Sequence, residues 1–202
     1  MAPQVGYVPG GKNAMNLAQG LAVFLSFYAD RESGTEGKKR IPFPGTVQSY
    51  NAHYTEIGQQ TLGRAHIFAS SLPSSGTNGE VFNVGDSPSP AGTSWKEKWV
   101  ALCDYFGLEG VGPDEEPTQL SVATYMAQHA GEFGEFEAKH GLRPGVVQNC
   151  SWEFLEVMLT LAAFDRQYDL SKVQQAGFKE QADIIQNYLG TFELMKQAKI
   201  IP

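Results

Sequence analysis

The chain has little of several things, and each shortage excludes a class of function. Of its 202 residues only two are cysteines, Cys103 and Cys150. They form no metal-binding or redox spacing, and Cys103, set among apolar positions of a helical segment, reads as a small buried hydrophobe. Cations are in short supply: Lys and Arg number 15 against 22 Asp and Glu, a net charge of −7. The one basic run, Lys38-Lys39-Arg40, is a solvated loop before a strand, so nucleic acid is not an expected partner. No apolar run is long enough to cross a bilayer; Leu17 to Phe27 comes nearest, interrupted by Gln19, Gly20 and Ser26. The N-terminus carries no charged-then-apolar leader, and a cytoplasmic protein without membrane contact is expected. There are no internal repeats, and no CxxC, HExxH, Walker loop, GxSxG or GxGxxG sequence.

What is present is organised around residues 79–108. Val81-Phe82-Asn83-Val84, closed by Gly85-Asp86, predicts a buried strand. A helix follows, opening on Ser94 with Glu97 at capping-box spacing and ending before Gly107. Trp95, Trp99, Leu102 and Phe106 give it one large apolar face. Elsewhere the pattern predicts a clipped strand at Gln4–Val8, turned by Pro9-Gly10-Gly11, and a largely buried helix from an Asn13 cap to about Arg31. Ile41-Pro42-Phe43-Pro44-Gly45 reads as a short extended piece. Residues 46–55 read as a loop presenting the polar-tipped rings Tyr50, His53 and Tyr54. Further helices are expected over 56–71, 118–140 (breaking near Gly131 and Gly134), 151–164 and 178–199, with Gly110-Val-Gly-Pro113 as a connector. His66 reads as a half-buried helix residue, and Glu115-Glu116 as solvated. Asp165 to Lys172 reads as a hydrogen-bonded turn.

Taken jointly, Asn13-Ala-Met-Asn-Leu17, Ile41-Pro-Phe-Pro-Gly45, Glu80-Val-Phe-Asn-Val84 with Trp95-Lys-x-x-Trp99, Asp165-x-x-x-Asp169-x-Ser-Lys172 and Lys199-Ile-Ile-Pro202 resemble progesterone 5β-reductase/iridoid synthase-like enzymes. These are extended short-chain dehydrogenases, and the likeness is to fungal-type members. It runs through nearly the whole chain but only over the family's C-terminal, substrate-binding half. The resemblance implies that the glycine-rich NADP turn and the catalytic Tyr and Lys belong to the other half. The fold it implies is α/β: a truncated Rossmann-like scaffold, mostly helical with a few short, largely parallel strands, residues 1–202 forming one domain. Met15 and Asn16 match the substrate-facing helix, and Trp152, Phe154 and Met158 the pocket wall.

Without a pyrophosphate site, no cofactor is expected, and an open strand edge argues for a homodimer or a second chain. Three functions stay open. One is a cofactor-independent isomerase, cyclase or dehydratase of fungal secondary metabolism acting on a hydrophobic substrate, a polyketide or terpenoid with a conjugated carbonyl. The second is a non-catalytic binding subunit. The third is a fragment of an NADPH-dependent enone or carbonyl reductase. For the first, His53, Tyr54, Tyr28 and Asp165 are the candidate acid–base groups, His53 foremost because imidazole titrates near neutrality.

Overall fold

A computed structural model describes residues 4–7, 13–32, 37–73, 79–86, 92–114 and 120–202. The Pro9-Gly10-Gly11 turn and Glu115-Glu116 lie outside them. Strands are few, short and parallel. β1 (Gln4–Val5) pairs with β3 (Ile57–Gly58), Gln4 opposite Ile57. β2 (Lys39–Pro42) pairs with β4 (Leu108–Val111), Lys39 opposite Leu108 and Pro42 opposite Val111. The helices are α1 (Leu17–Arg31), α2 (Val47–Asn51), α3 (Gln59–Ser71), α4 (Trp95–Tyr105), α5 (Val122–Gln128), α6 (Phe133–His140), α7 (Trp152–Thr160), α8 (Ser171–Gln175) and α9 (Ile184–Gln197). A parallel strand pair needs a crossover between its members, and helices supply it in both sheets.

α1 is buried nearly all round, Leu21, Ala22, Val23, Phe24 and Leu25 being fully enclosed, as its apolar run requires. It starts three residues later than expected. The Asn16 side chain accepts from the Gln19 amide at 3.0 Å and is the cap, while Asn13 accepts from the Met15 amide in the turn before it.

The capping box of α4 forms: the Ser94 amide and hydroxyl both reach Glu97 Oε2, at 2.6 and 3.0 Å. The helix ends at Gly107, whose φ of +75° suits only glycine. Beyond it two expectations fail together. Residues 81–84 form no strand: Val81 is 77% exposed, and Phe82 and Val84 pack by their side chains on a satellite cluster of Ala65, Val173 and Phe178. The strand is instead Leu108–Val111. Its glycine is no connector residue; a Cβ on Gly110 would stand 2.9 Å from Cys103 Sγ and 3.0 Å from Trp99, so glycine is what lets β4 lie flat on α4.

The helix expected over 118–140 does break, into α5, a 3₁₀ turn at Ala130–Glu132 and α6. The loop expected at 46–55 contains α2, capped by Thr46. α1, α4, α5, α7 and α9 enclose one core with Trp99, Phe192 and Leu159 at zero exposure. Among the described residues no helix is long and apolar enough to cross a membrane.

Candidate functional site

The segment after α2 is held between two neighbours. Tyr54 exchanges backbone hydrogen bonds with Thr93 at 3.0 Å each way, and the Thr55 amide donates to the Arg166 carbonyl at 3.2 Å. This register drives Tyr54 and Glu56 inward onto α4. There Lys98 Nζ donates to Tyr54 Oη at 2.8 Å and pairs with the Glu56 carboxylate, whose other oxygen accepts from Tyr188 Oη on α9 at 2.7 Å. The ammonium lies 4.2 Å from the Tyr54 ring centroid and 4.5 Å from that of Trp95. Burial pushes the Tyr54 and Tyr188 hydroxyls well up, with the Glu56 charge adding to it. Burial pulls the Lys98 ammonium down, and Glu56 opposes that shift.

Tyr54 and Glu56 are 1% exposed, and Lys98 and Tyr188 not at all. No substrate reaches this group in its present form. It is an internal ion pair joining α4 and α9 through residues 54–56, and it withdraws Tyr54 from the surface where a catalyst would stand. A signal for Lys98 was available: it lies three residues after Trp95 and four before Leu102, on the apolar face of α4. Glu56 and Tyr188 had none, since only the tertiary fold sets them opposite that lysine.

His53 and Asp165 do come together, but through the backbone. The His53 amide donates to Asp165 Oδ1 at 2.9 Å, and the Arg166 amide returns to the His53 carbonyl at 2.9 Å. The bond from the His53 amide holds the Asp165 carboxyl below its usual range. No hydrogen bond joins the imidazole to that carboxylate, so the pair is a turn fastening. Tyr168 and Lys172 stand at a Tyr-x-x-x-Lys spacing, yet share no helix face: Tyr168 precedes α8, and the Lys172 ammonium pairs with Glu80 at 2.5 Å.

Tyr28 lies elsewhere, on a hollow of about 340 Å³ between α1, the end of β2 and α5. Pro42, Leu120, Ser121, Thr124, Tyr125 and Gln128 complete its wall. The Tyr28 and Tyr125 rings sit 5.3 Å apart, centre to centre. Burial raises the Tyr28 hydroxyl above its ordinary value, with the Glu32 carboxylate adding, Lys39 opposing and Asp114 adding again. Burial pushes Tyr125 up to about 12 against the opposing Arg31 charge. Both phenols therefore stay protonated at neutral pH and can donate to a ligand's carbonyl oxygen. Tyr125 carried no distinguishing signal in the sequence.

Of the residues expected on the substrate side, Met15 is 60% exposed, and Asn16 spends its side chain on the α1 cap and on the Gly6 carbonyl, 3.0 Å away. Trp152, Phe154 and Met158 are half-buried on α7 against the main core. None of the five lines the Tyr28 hollow.

Among the described residues, no group of three His, Cys, Asp or Glu side chains could hold a metal ion. A dinucleotide's pyrophosphate needs free amides and no opposing anion at a strand-to-helix turn. At the β3–α3 turn Asp86 Oδ2 takes the Gly58 amide at 2.7 Å and sets a carboxylate there, which opposes an anion. These residues do not fit a pyrophosphate.

Comparison with known proteins bears on the same scaffold. A family model described as a PRISE-like Rossmann-fold domain matches residues 2–202. The chain is similar to Short chain dehydrogenase ausT of Aspergillus calidoustus, 33% identical over 199 residues, covering 98% of this chain and 46% of that protein. It is also similar to Short chain dehydrogenase sirQ of Leptosphaeria maculans, 28% identical, covering 98% of this chain and 48% of the relative. The (S)-8-oxocitronellyl enol synthase of Catharanthus roseus is 21% identical, covering 93% of this chain and 45% of that protein. The chain thus spans about half the length of the curated relatives it matches. With parallel strands, helical crossovers and a match over nearly every residue, the chain belongs to the PRISE-like Rossmann-fold family.

Proposed function

We propose that this chain binds a hydrophobic small molecule bearing a conjugated carbonyl, of polyketide or terpenoid kind, and shifts its protons without a cofactor. Isomerisation, cyclisation and dehydration are the reaction types in reach. The observation that carries this reading is Tyr28: a phenol kept protonated on the wall of a hollow of about 340 Å³. Its hydroxyl donates to the carbonyl oxygen. That acidifies the C–H bonds conjugated with the carbonyl, and a carboxylate takes the released proton. Asp114 suits this step, since it is exposed and near enough for its charge to act on Tyr28; Glu32 is tied to Lys39 at 2.6 Å. Return of the proton to another carbon moves the double bond, with no electron gained or lost. The enol named in the Catharanthus relative supports chemistry at a carbonyl oxygen.

The relatives named as dehydrogenases, and the span of about half their length, favour a second reading, in which these residues form the substrate side of an NADPH-dependent carbonyl or enone reductase. In either case each sheet has two strands among the described residues, and parallel sheets are ordinarily covered. We therefore also propose that a second copy pairs with this one; a molar mass from light scattering that stays monomeric as concentration rises would exclude it.

Proton exchange from isophorone, a cyclic enone, into D₂O separates the two functions by NMR. The first predicts exchange catalysed by the wild type and slowed by roughly 100-fold or more in Tyr28→Phe, the scale of one general acid. A folded protein giving no exchange above buffer rejects it. Saturable NADPH binding with enone reduction establishes the second.

A further inference from the structure

Tyr125 holds an unused hydrogen bond. Its ring stands between Tyr28, 5.3 Å away, Phe24 at 6.0 Å and His129 at 4.7 Å, while its hydroxyl is sealed from water and gives its proton to no acceptor among the described residues. Two charged groups act on it: the Arg31 guanidinium, itself paired with Glu132, which reaches the hydroxyl as a donor, and the Glu32 carboxylate, whose smaller effect has the opposite sign. A guanidinium has donors only, so it cannot accept the phenol's proton. Native proteins seldom leave a buried hydroxyl in this state, and such exceptions concentrate at functional sites. Of the rest of the wall, the Gln128 amide is the other polar group that could meet a ligand. Ser121 and Thr124 are engaged with each other, the Ser121 hydroxyl donating to Thr124 Oγ1 at 3.0 Å and accepting from the Thr124 amide at 3.2 Å. Pro42 and Leu120 are apolar.

Resting on the reading of the hollow given above, we propose that Tyr125 is the oxygen subsite: its hydroxyl turns into the hollow and donates to the ligand's carbonyl oxygen beside Tyr28. The ligand class narrows accordingly, to carbonyl compounds whose oxygen gains negative charge as an enol or enolate forms. The Arg31 charge on the phenol favours that charge over the neutral ketone. The step adds no reactant, since the hydroxyl only shares its proton with the oxygen and keeps it when product leaves.

The test uses 4-nitrophenolate as the enolate mimic, with binding followed by its absorbance shift, alongside thermal melts. Tyr125→Phe is expected to weaken the mimic by roughly tenfold or more, the worth of one hydrogen bond to a charged oxygen. It is also expected to melt no lower than wild type, because it deletes an unsatisfied group. Arg31→Gln is expected to weaken the phenolate more than neutral isophorone, which keeps the proposal testable if Tyr125→Phe folds poorly. A Tyr125→Phe protein that melts much lower and binds the mimic as before overturns the proposal. If Tyr28→Phe weakens binding and Tyr125→Phe does not, the subsite is wrong and the hollow stands. If the folded wild type binds neither mimic nor enone, both fall.

Discussion

Replacing Lys98 by Met tests whether the Glu56–Lys98 pair is an internal fastening. The substitution keeps much of the side chain's volume and removes the charge. Glu56 would then retain the Tyr188 hydroxyl at 2.7 Å and a long contact with Thr93 at 3.4 Å, but no cation, at 1% exposure. Breaking one side of a buried pair costs about 3–5 kcal/mol, because the remaining charge is uncompensated. For a domain of this size each kcal/mol lowers the melting temperature by about 2–4 °C, so a fall of roughly 6–20 °C is expected. Glu56 can escape the penalty by taking up a proton. Protonation removes the unpaired buried charge, so the penalty is relieved at low pH and returns in full as pH rises. Urea unfolding should therefore show a larger Lys98→Met deficit at pH 8 than at pH 5. Lys98→Met with Glu56→Gln removes both charges and should recover most of the loss. A single variant within about 1 kcal/mol of wild type at both pH values, with a double variant worse than either single, would refute the reasoning.

Three further outcomes follow from local geometry. Gly92→Ala should destabilise by about 2 kcal/mol or more in urea, because Gly92 has φ +75° and an added Cβ would stand 2.5 Å from the Tyr54 carbonyl oxygen. Unchanged stability would show that the Tyr54–Thr93 bridge is looser than described. Glu137→Ala should cost about 2–4 kcal/mol, since its buried carboxylate accepts the Gly145 amide at 2.8 Å and the Val147 amide at 3.0 Å, fixing the turn after α6. Hydrogen exchange at those two amides should rise first. Burial acts to raise Asp30, but hydrogen bonds from Lys139 and His140, with their charges, hold its carboxyl below the ordinary value. The unfolded chain then binds the proton more readily. The contribution is full above the ordinary Asp pKa of about 4 and fades as pH falls through the folded one. Asp30→Asn should flatten that part of the acid-unfolding curve while leaving stability at pH 9 less dependent on pH than at pH 3.

Much of the fold was legible because it is local. The Ser94–Glu97 box, Gly107 and the apolar faces of α1 and α4 depend on neighbours within a turn or two, and the structure reproduces them. The family was legible too, because its motifs recur in order along the chain. Strand identity was not. Val81–Val84 has the better β composition, but a strand exists only where a partner backbone lies alongside, and β2 lies alongside Leu108–Val111. The polar groups were the least legible. Tyr54 and Tyr28 look alike in sequence as polar-tipped rings, yet the first donates nothing to a ligand and is sealed on Lys98, while the second faces a hollow. Sequence determines which groups are able to donate, accept or carry charge. Only the tertiary structure decides which of them lie opposite a partner and which, like the Tyr125 hydroxyl, are left without an acceptor, because burial and pairing are set by segments far apart in the chain.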